Sequence, residues 1–136
     1  MNKNSLYLGI GVLMLLMTPL AGFAAGNASQ EIATATTHAK MAANAGDVTH
    51  AIMHFHHVIN CLVGPKGKQF DAAPGNPCKD MGNGALNDVD MKSPQHAKLL
   101  HALALAEQAL HAKKLATTRQ DALQIAKILE GANTAE

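Results

Sequence analysis

The segment His50-Ala51-Ile52-Met53-His54-Phe55-His56-His57-Val58-Ile59-Asn60-Cys61 carries two patterns at once, both at helical spacing. At about 100° per residue, His50, His54, His57 and Cys61 fall within about 60° of one another on a helical wheel. The bulky apolar residues Ile52, Phe55, Ile59 and Leu62, with Ala51 and Val58, form a second face centred about 130° away. The helix therefore has a core face without its histidines, and they form a separate stripe. Metal ligation is the chemistry that such a stripe favours; a solvated polar face is the plainer alternative.

Immediately upstream, Asp47 is a good N-cap for this helix and Gly46 a stop for the one before it. The earlier helix starts at Ser29 as N-cap, has Glu31 in its first turn, and offers Ile32, Ala35, Ala39 and Ala42 as a narrow buried face. Only a tight turn separates the two, so helices at about 29–45 and 47–62 form an antiparallel hairpin. Residues equidistant from the turn sit level in such a hairpin. His38 then lies opposite His54, and Met41 lies near His50 or Ala51. A ligand set spanning both helices becomes available if the side chains face one groove.

Residues 1–25 read as a secretory signal peptide: Lys3, an apolar run from Leu6 to Leu20, and the small-residue end Ala21-Gly22-Phe23-Ala24-Ala25. No cysteine follows as a lipid attachment point. The expectation is an exported, periplasmic protein with no membrane association after signal removal and a single domain over 26–136. Removing Lys3 leaves ten Lys and Arg against ten Asp and Glu. Without a basic field, nucleic acid and anionic lipid are not expected partners. The remaining chain is rich in alanine, poor in aromatics and free of tryptophan, which suits close-packed helices rather than strands.

Downstream, residues 63–93 lose all periodicity and collect Gly64-Pro65, Pro74-Gly75-Asn76-Pro77 and Gly82-Asn83-Gly84, a composition of turns. The segment holds Cys78, and two cysteines in an exported chain pair as a disulfide. Cys61 to Cys78 closes a loop of about seventeen residues, stabilising the fold by roughly 3 kcal/mol on the loop-entropy model. The alternative is Cys61 as a thiolate ligand beside His57. The disulfide brings Asp71, Asp80 and Met81 toward the end of the stripe, where each is best read as a solvated loop residue.

Ser93-Pro94 is a strong helix start, and Leu99, Leu100, Leu103, Ala106 and Leu110 mark an apolar face along what should be the longest helix, about 94–115. His96 sits on that face, His101 on the polar side, and His111 at its flank. A last helix, about 118–130, starts near Thr117 or Thr118, packs Ala122, Ile125, Ala126 and Leu129, and stops at Gly131. The predicted architecture is all-α: an antiparallel four-helix bundle of two helical hairpins joined by a long disulfide-tethered loop. The tripeptide His-Ala-Lys recurs at His38, His96 and His111, a hint of shared ancestry between the hairpins.

Neutral imidazoles at i, i+4 share a borderline ion such as Zn(II), Cu(II) or Ni(II), but His50 and His57 stand about 10 Å apart along the axis. A realistic site uses His50 with His54, or His54 with His57, and completes itself with His38, Met41 or water. Calcium and magnesium are disfavoured because no carboxylate cluster is present.

The run His38-Ala39-Lys40-Met41-Ala42-Ala43-Asn44-Ala45-Gly46-Asp47-Val48-Thr49-His50 resembles the H-A-x-x-A-x-x-x-G-x-x-x-H pattern of the small metal-binding proteins, exported histidine-rich four-helix bundles. The resemblance implies binding of divalent transition metals, copper especially, with His38 and His50 matching repeat histidines and His54 and His57 following. The chain departs from that pattern in its fewer histidines, its long Gly/Pro loop, its cysteine pair and its histidine-free last helix. The leading expectation is periplasmic metal sequestration or trafficking through His38, His50, His54 and His57, with a periplasmic protein as a further partner. The runner-up is a stress-adaptor bundle with a pH-responsive histidine surface. No enzyme is expected: no Glu or Asp accompanies the stripe as H-E-x-x-H would place it, and no C-x-x-C-H haem attachment occurs.

Overall fold

The computed structural model describes residues 26–134; the signal-peptide expectation for 1–25 lies outside them. Five helices follow in order: α1 (Ala28–Ala43), α2 (Val48–Val63), the single turn α3 (Ala85–Asp88), α4 (Pro94–Ala109) and α5 (Leu115–Asn133). The four long helices pack antiparallel as a bundle. α1 lies against α2 and α5, α4 lies against α5 and α2, and α2 touches α5 across the diagonal. Among the described residues no helix is long and apolar enough to cross a membrane.

The first hairpin follows its sequence closely. Ile32, Ala35, Ala39 and Ala42 are all fully buried, and the three small alanines let α1 sit near both of its neighbours. The N-cap of α1 is Asn27 rather than Ser29: its Oδ1 accepts from the Gln30 N–H at 3.0 Å. Ser29 instead donates to Asn133 Oδ1 at 3.0 Å, tying the start of α1 to the end of α5. Asp47 caps α2 by accepting from the His50 N–H at 2.9 Å. Ala51, Phe55, Val58, Ile59 and Leu62 form the buried face of α2, while Ile52 is half-buried. The helix ends at Gly64 with φ +69°, where an added Cβ would overlap the Asn83 carbonyl, so both conformation and space demand glycine.

The connection between α2 and α4 is folded back on the bundle. The Cys61–Cys78 disulfide holds it, with the two Cα atoms 5.2 Å apart. The segment is not wholly irregular, since α3 interrupts it; Ala85 is buried, and Asn87 Nδ2 donates to the Val63 carbonyl at 3.0 Å.

In the second hairpin the boundaries differ from expectation. Ser93 caps α4 as anticipated, accepting from the His96 N–H at 3.1 Å. α4 ends at Ala109 rather than near 115, and α5 begins at Leu115 rather than at Thr117 or Thr118. Thr118 is fully buried inside the first turn of α5, its hydroxyl satisfied by donating to the Lys114 carbonyl at 2.8 Å. Gly131 does not stop α5, because side chains from the start of α4 serve the terminal carbonyls. Lys98 Nζ donates to Gly131 O at 2.7 Å and Gln95 Nε2 to Ala132 O at 2.9 Å. α5, with 19 residues, is therefore the longest helix, not α4 with 16.

Candidate metal centre

His38 projects from the middle of α1, and His54 and His57 from successive turns of α2. The hairpin register brings them together: His38 Nδ1 lies 3.1 Å from His54 Nδ1 and 3.2 Å from His57 Nδ1. Ring centroids are 4.6 Å apart for His38 and His57, 5.3 Å for His38 and His54, and 5.8 Å for His54 and His57. All three are half-buried, and one nitrogen from each falls within 4.8 Å of the others.

His57 is oriented from its far side. Its Nε2 lies 2.7 Å from the Pro74 carbonyl, which only accepts, so the ring proton of neutral His57 is on Nε2 and its Nδ1 lone pair faces the cluster. Burial pushes His38 down to about 4, helped by repulsion from His57 and then His54. Burial also lowers His54, with His57 and His50 adding repulsion. Both are thus neutral at pH 7, the form in which imidazole ligates.

The cluster holds too few protons for its contacts. With His57 Nδ1 bare, the contact to His38 needs a proton on His38 Nδ1. That same hydrogen is then the only one available to the His38–His54 contact, because a second proton on His54 Nδ1 would face the first. Any neutral arrangement leaves one close N···N contact without a hydrogen of its own. A cation at the convergence point resolves this. For metal–nitrogen bonds of about 2.05 Å, two ligands at a right angle are about 2.9 Å apart and two at the tetrahedral angle about 3.3 Å apart. The observed 3.1 and 3.2 Å lie between those limits. The donor set is neutral, nitrogen-only and without carboxylate, which suits Zn(II), Cu(II) or Ni(II) rather than Ca(II) or Mg(II).

Of the four ligands read from sequence, His50 is not brought into this group. It is exposed, with Nδ1 2.7 Å from Asp47 Oδ2, so the residue that caps α2 also holds the ring at the helix start. Cys61 is in the disulfide and offers no thiolate. His56 lies outside the stripe, as the wheel places it, with Nδ1 3.5 Å from Asp71 Oδ2. Met41, His101 and His111 are exposed, and Met81 Sδ accepts from the Thr34 hydroxyl at 3.6 Å. The broad cavity of about 510 Å³ between residues 63–69, α3 and Leu103 contains none of the three histidines. Pro74 reads in sequence only as a turn residue, because a backbone carbonyl in an aperiodic loop leaves no side-chain signal.

Comparison with protein-family models, curated proteins and solved structures gives no match. The chain is a small helical bundle with a three-histidine cluster, and its likeness to the small metal-binding proteins, drawn from residues 38–50 with His54 and His57 following, is matched by no family model.

Proposed function

We propose that this protein binds one divalent transition-metal ion through His38, His54 and His57, for sequestration or trafficking outside the cytoplasm. The observation that carries the reading is the approach of His54 Nδ1 and His57 Nδ1 to His38 Nδ1 at ligand spacing, with too few protons to satisfy both contacts. Copper is the ion favoured by the resemblance of residues 38–50; zinc and nickel suit the same donors. The disulfide agrees with an oxidising compartment, and the leader-like first 25 residues with export to the periplasm. The reading is of binding rather than catalysis, since the three-histidine group includes no carboxylate to serve as a general base.

Calorimetric titration of the chelator-treated protein with Cu(II), Zn(II) and Ni(II) tests it. One tight site is expected, lost in His38→Ala, His54→Ala and His57→Ala and kept in His50→Ala and His101→Ala. Equal losses across all five variants would mean diffuse surface uptake and end the proposal, as would weak, millimolar-range uptake by the wild type, the outcome that favours the adaptor reading.

A further inference from the structure

The Pro74 carbonyl that orients His57 sits in a loop, and a loop carbonyl holds its place only if something fixes the chain on both sides of it. Asn60 does so. It is 1 % exposed, and it lies one helical turn beyond His57 on the same side of α2. Its Nδ2 donates to the Asp71 carbonyl at 2.6 Å and to the Gly75 carbonyl at 2.8 Å, and its Oδ1 accepts from the Asp71 N–H at 2.9 Å. Both amide hydrogens are thus used, and the two anchor points bracket Pro74. Inside the bracket, the Ala73 N–H donates to Asp71 Oδ1 at 2.9 Å and the Gly75 N–H to the Ala72 carbonyl at 3.1 Å. Gly75 has φ +101°, a conformation that L side chains rarely adopt, and a Cβ there would lie 3.9 Å from His57 Nε2.

We propose that Asn60 is a positioning residue for the three-histidine centre: it clamps the 71–75 turn onto α2 so that the Pro74 carbonyl fixes the His57 ring with Nδ1 turned toward His38. Its effect on metal affinity rests on the metal-binding reading, whereas its effect on the His57 ring does not. Outer partners that orient a ligand histidine are worth about 10- to 100-fold in metal affinity. Asn60 acts on His57 through the backbone, so the loss expected on breaking the clamp falls in that range.

The test is Asn60→Asp, close in shape but unable to donate to either carbonyl, with Asn60→Ser as the variant to use should a buried aspartate prevent folding. Asn87→Ala is the control: Asn87 braces the same connection through Val63 and Asn83 without touching residues 71–75. The first readout is the histidine-ring nitrogen–proton NMR spectrum of the metal-free protein, where the wild type and Asn87→Ala should show a slowly exchanging His57 Nε2–H that the Asn60 variants lose. The second is Zn(II) affinity, expected to fall about 10- to 100-fold in the Asn60 variants and to hold within about twofold in the control. An unchanged His57 ring signal in a folded Asn60 variant overturns the positioning role. A lost signal with unchanged affinity overturns its bearing on the metal. If the wild type binds no zinc, copper or nickel, the metal-binding reading falls while the ring signal still decides what Asn60 does.

Discussion

Glu31 should make the stability of this protein depend on pH in the direction opposite to most carboxylates. Its place in the first turn of α1 is one where a surface glutamate would favour the helix dipole, yet it is 1 % exposed. Oε1 accepts from the Gly84 N–H at 2.9 Å, while Oε2 has no hydrogen-bond partner among the described residues. Burial lifts its carboxyl from an ordinary 4.5 to about 7; the Gly84 bond pulls the other way, and the nearby Asp88 carboxylate adds to the rise. A folded pKa above the unfolded one means that the native state holds the extra proton. Stability is therefore greatest below the unfolded value and is lost as pH rises from about 4.5 to about 7. At 1.36 kcal/mol per unit, the loss is about 3 kcal/mol. His38 opposes it: with its folded pKa depressed to about 4, it removes stability as pH falls from 6.5 toward 4, so the wild-type curve alone is flattened. Glu31→Gln, neutral throughout, isolates the effect. In urea unfolding with chelator present, the variant should gain about 3 kcal/mol on the wild type between about pH 4 and about pH 8, roughly 10 °C or more in Tm. A difference curve that is flat across that interval would refute the burial argument for Glu31.

Metal addition should raise the melting temperature of the wild type but not of His54→Ala, with about 2.7 kcal/mol of stabilisation at a hundredfold excess over Kd; equal shifts in both would show that the ion binds elsewhere. Affinity should fall with acidification, because the ligands must be unprotonated, and the share of the fall owed to His38 and His54 should come below the ordinary histidine value of 6.5, since both are depressed. A titration from about pH 8 to about pH 4 in which affinity does not fall would contradict this. The unreduced protein should show no reactive thiol at Cys61 or Cys78, and reduction should cost roughly 3 kcal/mol on the loop-entropy model, read by denaturant unfolding before and after treatment with a dithiol.

The fold was legible in part from apolar spacing and caps, although Asn27 rather than Ser29 caps α1 and Leu100, read on the apolar face of α4, is exposed. Asp47, Ser93 and the faces of α1 and α2 fall as the sequence places them, because each rests on local chemistry: a side-chain oxygen reaching a backbone N–H, or a 3.6-residue period. The ends of α5 were not legible, because tertiary partners decide them. Thr118 reads as a cap until its hydroxyl finds Lys114 O in a buried turn, and Gly131 reads as a stop until Lys98 and Gln95 serve the carbonyls around it. The His-Ala-Lys copies show the same limit of short patterns. His38 is mid-way along α1, His96 in the first turn of α4, and His111 just past the end of α4, so the three occupy inequivalent places in the two hairpins.

The histidine cluster was legible for a different reason, the geometry of an antiparallel pair. Two helices leaving one turn advance by equal rises, so eight residues on either side of Gly46 put His38 beside His54, and one further turn brings in His57. His50 shares their wheel position but lies one turn nearer the cap, where the Asp47 carboxylate takes its ring. The wheel therefore finds the stripe, and the local hydrogen bond decides which of its members face the partner helix. Nothing in the periodicity of α2 distinguishes Asn60 from any polar residue on a helix flank, because its three partners lie 11 to 15 residues away in a segment without periodicity. The ligands and their orientation thus come from separate parts of the chain. The α1–α2 hairpin alone contains all three imidazoles, but the carbonyl that sets the proton on His57 arrives only when the 71–75 turn is seated by Asn60 and the chain beyond it is tied back through Cys78. For that reason a disulfide that offers no ligand atom and an amide that touches no imidazole both bear on whether three histidines form a metal centre or only a crowded surface.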